Sequence, residues 1–85
     1  MIPREAYFAS SPMDFDFPKQ WKNLSKVWVV EIWRDDKGNL RATYIDSTGR
    51  YSESDITYIR DAENFNRALP DIAKKWESKN NDSRD

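Results

Sequence analysis

Carboxylates are the only plausible catalytic groups in this sequence, because the chain contains no histidine and no cysteine. Those absences remove the commonest general base, the commonest metal ligand and the thiol nucleophile. General acid–base catalysis by carboxylates needs one buried group with a raised pKa beside one that stays charged. The acidic clusters that could be tested against this requirement are Asp14 with Asp16, Asp35 with Asp36, and Asp46 with Glu53 and Asp55.

The pair Asp35 and Asp36 has a simpler explanation, because aspartate is common in turns, where its side chain hydrogen-bonds the backbone ahead. The same segment is superficially similar to a calcium loop. However, Lys37 stands where such a loop needs an oxygen ligand, and Asp46 stands where it needs glutamate. Ser52 and Ser54 have no base to activate them. We therefore predict a protein that is not an enzyme and that uses no metal or other cofactor.

The composition narrows the classes of partner. The 85 residues carry a net charge of −1 although 34% of them are charged, and no segment forms a basic stripe that would neutralise phosphates. No apolar run approaches the roughly 18 residues of a membrane span, and the N-terminus has no apolar signal-peptide core. The lack of cysteine fits a reducing compartment. We expect a cytoplasmic protein with no membrane partner, for which nucleic acid is a disfavoured ligand.

Two turns of the form D-x-x-G-x, at 35–39 and 46–50, divide a strand-rich region into three strands at about 26–34, 40–46 and 51–59. This pattern is typical of a type I turn followed by a left-handed glycine. It predicts a three-stranded antiparallel meander in which Asp35 lies opposite Asn39 and Asp46 lies opposite Arg50.

Side chains alternate across a sheet, so this register predicts two faces. The apolar face would collect Trp28, Val30, Ile32, Leu40, Ala42, Tyr44, Ile56 and Tyr58, with Ser52 and Ser54 among them. The opposite face, called the mixed face below, would collect three rows, namely Val29, Ile45 and Tyr51, then Glu31, Thr43 and Glu53, then Trp33, Arg41 and Asp55.

A C-terminal helix is predicted at about 61–79, with Asp61 as its N-cap. Its apolar stripe is Phe65, Ala68 or Leu69, Ile72 and Trp76, and we expect this stripe to pack on the apolar face. Pro70 lies inside the stripe and removes a backbone hydrogen bond, so the helix should be kinked or broken there. The prediction is thus an α+β domain at 26–79, preceded by an irregular, partly ordered arm at 1–25 and followed by a frayed polar tail at 80–85. A helical turn from Pro18 to Leu24 is expected within the arm.

The arm segment Met13–Phe17 alternates apolar and acidic residues, which as an extended strand would separate Phe15 and Phe17 from Asp14 and Asp16. Two interpretations stay open. The arm could cover the mixed face as a satellite core, or it could be an exposed strand that docks on a basic, apolar groove.

The mixed face is the second candidate surface, because Trp, Tyr and Arg are enriched at interface hot spots. The sequence predicts a small protein-binding module, an inhibitor or adaptor of the kind found among accessory proteins of phages and mobile elements, and it leaves monomer and homodimer open. The candidate contact residues are Trp33, Arg41, Tyr51, Asp14, Phe15, Asp16, Phe17, Glu53 and Asp55. The alternative is a single-stranded nucleic-acid binder that stacks bases on Trp33 and Tyr51 with help from Arg41, Arg50 and Arg60.

Overall fold

The computed structural model describes residues 2–84, and their side chains as far as residue 76. The elements are β1 (Arg4–Phe8), β2 (Ser25–Arg34), β3 (Leu40–Ile45), β4 (Tyr51–Asp55), β5 (Ile59–Asp61) and α1 (Ala62–Arg84), with 3-10 turns at Pro12–Asp16, Pro18–Asn23 and Ile56–Tyr58. The strands form one antiparallel sheet in the order β4-β3-β2-β1-β5. The predicted α+β class is confirmed, whereas the three-stranded meander is replaced by five strands.

Both hairpin turns form as predicted. The Asp35 amide donates to the Asn39 carbonyl at 2.9 Å, and the Asp46 amide donates to the Arg50 carbonyl at 3.0 Å. Gly38 and Gly49 have φ values of +83° and +85°, which glycine adopts at no steric cost. Each aspartate also accepts hydrogen bonds from the turn amides, so Asp35 acts in the turn as the sequence indicated.

The first 25 residues are not an irregular arm throughout. Strand β1 lies between β2 and β5, and Ala6 at its centre is buried. The predicted helical turn after Pro18 is confirmed as the second 3-10 turn. The predicted strand 51–59 is interrupted, because Asp55 caps a 3-10 turn by accepting from the Thr57 amide at 2.9 Å.

The sheet is strongly curled, as its connectivity requires. Four strand spacings of about 4.8 Å would separate β4 from β5 by roughly 19 Å in a flat sheet. The four residues from Asp55 to Ile59 span at most roughly 14 Å even when extended. Curling brings the Ile56–Tyr58 turn over the apolar face, where Ile56 joins a core of Ala6, Val27, Ala42, Tyr44 and Ile59. The mixed face is therefore the outer, convex side of the sheet.

A β-bulge in β2 changes which residues occupy the two faces. Ile32 pairs with Ala42 as predicted, but the register shifts between Val29 and Glu31, so that Val29 rather than Val30 lies opposite Tyr44. Val27 and Val29 consequently face the core, and Trp28 moves to the mixed face opposite Ile45. The predictions that Trp28 is a core residue and that Val29 lies on the mixed face are wrong.

The far end of the β2–β3 hairpin lies outside the core. Ile32 is 60% exposed and Leu40 is 40% exposed, although both belong to the apolar face by register. The predicted burial of these two side chains is wrong, because α1 packs mainly on β1, β5 and the second 3-10 turn instead of on this end of the sheet.

Helix α1 runs without interruption through Pro70, so the predicted break is absent. Pro70 cannot donate a hydrogen bond to the Asn66 carbonyl, and because both residues are exposed, water can reach that carbonyl instead. The helix also packs differently from the prediction. Phe65 is buried in a second cluster with Ala9, Phe15 and other rings instead of lying across the apolar face. The helix continues to Arg84, so most of the predicted tail is helical, and Asp85 lies outside the described residues.

The helix N-cap provides a test of stability against pH. Asp61 accepts from the Asn64 amide at 3.1 Å and pairs with the Arg4 guanidinium. These contacts, led by Arg4, hold the pKa of Asp61 below its ordinary value. Their stabilisation is therefore fully present above the unfolded-state pKa of about 3.9 and is lost as the pH falls through the lower folded-state pKa.

We expect Asp61→Ala to lower the free energy of unfolding by about 1 kcal/mol at pH 7. Asp61→Asn keeps a capping oxygen but cannot ionise, so it should lose less stability than the wild type between pH 5 and pH 2. Urea unfolding followed by circular dichroism measures both effects. An identical acid dependence in wild type and Asp61→Asn would contradict the assignment.

Candidate functional site

The mixed face is a grid of three rows across β2, β3 and β4. Each row follows from the pairing of the strands, since residues directly opposite one another share a face. The rows are Trp28, Ile45 and Tyr51, then Glu31, Thr43 and Glu53, then Trp33, Arg41 and Asp55. Of the predicted contact residues, the structure thus brings together Trp33, Arg41, Tyr51, Glu53 and Asp55.

The Trp33 ring has a defined position in the third row. Its Nε1–H donates to Thr43 Oγ1 at 3.0 Å, which ties the ring to the middle row. The Arg41 guanidinium carbon lies 6.0 Å from the Trp33 ring centroid, at the limit of a cation–π contact. Together with the hydrogen bond to Thr43, this contact limits the conformations that the half-buried Trp33 indole can adopt.

The first row carries the most exposed aromatic side chain of the mixed face. Tyr51 is 70% exposed, and Trp28 and Ile45 beside it are half-buried. The helix packs mainly on β1, β5 and the second arm turn, so this row remains open to solvent. Trp28 is the residue that sequence reasoning missed. Four apolar residues in succession, Val27–Val30, gave no alternation from which the bulge could be detected.

The charges of the mixed face do not cancel. Arg41 lies opposite Asp55, and the pKa of Asp55 is lowered mainly by hydrogen bonds from Thr57, with the charge of Arg41 contributing. Glu31 and Glu53 are exposed, and neither is within 4.0 Å of a cationic group among the side chains of residues 2–76. The grid therefore carries two more negative charges than positive ones.

The predicted arm residues lie elsewhere. Residues Pro12–Asp16 form a 3-10 turn, so the predicted alternating strand is wrong. Phe15 is fully buried against Phe65, and Phe17 lies 5.0 Å from the Trp76 ring. The arm is thus part of a core, but it covers the helix and not the mixed face. Asp14 and Asp16 stay with this turn and do not join the grid.

An apolar groove on the opposite side of the sheet was not predicted. It has a volume of about 1140 Å³ and is lined by Ile2, Val29, Val30, Ile32, Ala68 and Ile72, among others. It opens beside Arg4, the first residue of β1. From Val30 onwards β2 therefore pairs with β3 alone in the described sheet. Val29 and Val30 at the bulge line this groove, and neither the bulge nor β1 was predicted from the sequence.

Comparison with protein-family models, curated proteins and solved structures found no match to this chain. Within the described residues, no three acidic side chains converge in a way that could hold a metal ion. Across the same part of the chain, no helix is long and apolar enough to cross a bilayer. The candidate functional surfaces are the mixed face and the apolar groove on the opposite side of the sheet.

Proposed function

We propose that this protein is a small non-catalytic binding module that acts as an inhibitor or adaptor by docking its mixed face on another protein. The observation that carries the proposal is the placement of Trp28, Trp33 and Tyr51 on one open sheet face with acidic side chains between them. The partner surface that fits this face is apolar and basic.

Residue type and rigidity both support a protein partner. Aromatic side chains supply a large contact area at low entropic cost, and they dominate interface hot spots. Trp33 is already held by Thr43, so little further ordering is needed on binding. The convex shape of the face suits insertion into a concave partner surface.

Single-stranded nucleic acid is the second candidate, because sheet-face rings could stack on bases. The arginines do not favour it. Arg41 is opposite Asp55, and the Arg60 guanidinium lies over the Phe15 ring at 5.0 Å. The excess negative charge of the mixed face would repel phosphates.

The test is affinity capture from lysate of the source cells, with and without nuclease and at two salt concentrations. Three baits are compared, namely the wild type, a mixed-face variant (Trp33→Ala with Tyr51→Ala) and a control (Ile32→Ala with Leu40→Ala). The control removes two exposed apolar side chains from the opposite face of β2 and β3. Circular dichroism establishes that all three baits are folded.

We expect a nuclease-resistant protein to bind the wild type and the control but not the mixed-face variant. With the purified partner, the mixed-face variant should bind roughly 30-fold more weakly or worse by calorimetry. If only the control lost the partner, the binding surface would be the apolar groove and not the mixed face. Capture that disappears with nuclease and high salt would favour nucleic acid.

A further inference from the structure

The middle row of the mixed face has two glutamates with a small residue between them. Glu31 pairs with Thr43, and Thr43 pairs with Glu53, so the three residues lie side by side on adjacent strands. Two strand spacings separate the backbones of Glu31 and Glu53 by roughly 10 Å. Thr43 leaves a shallow space between the two longer side chains.

Neither glutamate has a cation of its own. The ion pairs among the side chains of residues 2–76 join Arg4 to Asp61 and Glu63, Lys26 to Glu5, and Arg67 to Glu63. Arg41, the cation of the grid, is placed against Asp55 and Trp33 in the third row. A cationic group above Thr43 would therefore meet two carboxylates whose charge is not offset.

Aromatic rings flank the same space along the strands. Trp33 leans on Thr43 from the third row through its 3.0 Å hydrogen bond, and Tyr51 lies in the first row on the other side. Rings beside a cation stabilise it through their quadrupole, and they also shield it partly from water.

We propose that the mixed face receives one arginine side chain of its protein partner, placed over Thr43 between Glu31 and Glu53. The inference rests on the proposed function and specifies the chemistry of the partner. Arginine fits better than lysine, because its planar guanidinium can donate to a carboxylate on each side and stack on a ring at the same time. A lysine ammonium is a compact charge that cannot bridge the row in this way.

The inference can be tested without knowing the partner, by titrating the ¹⁵N-labelled full chain with acetyl-Gly-Arg-Gly-amide and with its lysine counterpart. We expect saturable shifts of the Trp33 indole N–H and of the Thr43 and Glu53 amides, with a dissociation constant on the order of 10 mM. The lysine peptide should bind more weakly, and added salt should weaken both.

Two variants complete the test. Glu31→Gln combined with Glu53→Gln should weaken arginine-peptide binding about fivefold or more, because it removes two exposed ion pairs. The matched control is Asp36→Asn, which neutralises an exposed acid in a turn outside the grid and should change nothing.

Shifts at other acidic residues, equal binding of the two peptides, or no effect of the double glutamine variant would each overturn the inference. These outcomes are independent of the proposed function. The capture experiment could find a protein that the variant with Trp33→Ala and Tyr51→Ala no longer binds, while the peptides cause no shifts. That combination would support the proposed binding module and overturn only the arginine site.

Discussion

Replacing Phe15 with alanine is expected to lower the free energy of unfolding by about 3–5 kcal/mol, the range for deleting a buried phenylalanine ring. Phe15 is 0% exposed and packs edge-on against Phe65, with Trp21 donating its indole N–H to the Phe15 carbonyl at 3.0 Å. A domain of this size has only about 5–10 kcal/mol to lose, so this one substitution should remove between roughly one third and all of its stability. Urea unfolding followed by circular dichroism measures the loss.

Met13→Ala is the matched control, because Met13 lies in the same 3-10 turn and is 62% exposed. It should change stability by less than about 0.5 kcal/mol. If the two variants were equally stable, the 3-10 turn would not be packed on α1, and the arm would again be a candidate for an exposed docking strand.

Placing an aspartate at Val27 is expected to unfold the protein, whereas the same change at the neighbouring Trp28 should leave it folded. Val27 is 1% exposed in the main core, and an isolated carboxylate there is strongly destabilising because the core provides no partner for it. Trp28 lies on the open mixed face, so Trp28→Asp loses only partial ring packing. Circular dichroism and amide hydrogen exchange of both variants make the comparison.

The bulge alone determines which of these two variants should unfold. A regular β2 with the register predicted from the turns would bury Trp28 and expose Val27, so it requires the opposite result. A folded Val27→Asp variant and an unfolded Trp28→Asp variant would show that the bulge is absent. Unfolding of both variants would mean that neither face of β2 is open to solvent.

The features that could be predicted from the sequence are those fixed by short-range chemistry. Asp35, Asp46 and the two glycines determine both turns, and the turns then determine the register of β3 with β4 and of β2 up to Glu31. Capping by Asp61 is equally local, because it needs only a carboxylate three residues before an unpaired amide. Five of the nine candidate residues were grouped correctly on the mixed face for this reason.

The remaining features depend on contacts between distant segments. Strand β1 has the sequence REAYF, whose alternation is weak, and it is a strand because β2 and β5 lie on its two sides. Phe15 is buried by Phe65, which is fifty residues away in sequence. The alternation of Phe15 with Asp14 and Asp16 resembles a strand but carries no information about that distant contact. All four residues of the run Val27–Val30 are apolar, so the sequence is compatible with burial of either alternate pair. Only tertiary packing therefore decides which residue bulges out of the ladder.

The bulge also determines where this chain tolerates a change in length. Val29 and Val30 are identical and adjacent, and only one of them is needed opposite Tyr44. A shorter chain that lacks either valine would regain an unbroken ladder with each flanking pair kept, so both faces of the sheet would survive. A deletion elsewhere in β2 would instead exchange the faces of part of the strand. The shorter chain would lose the extra twist that a bulge gives, and its flatter sheet would fit the Ile56–Tyr58 turn less well. Homologous chains that differ by one residue at this position are therefore compatible with the same binding face on a less curled sheet.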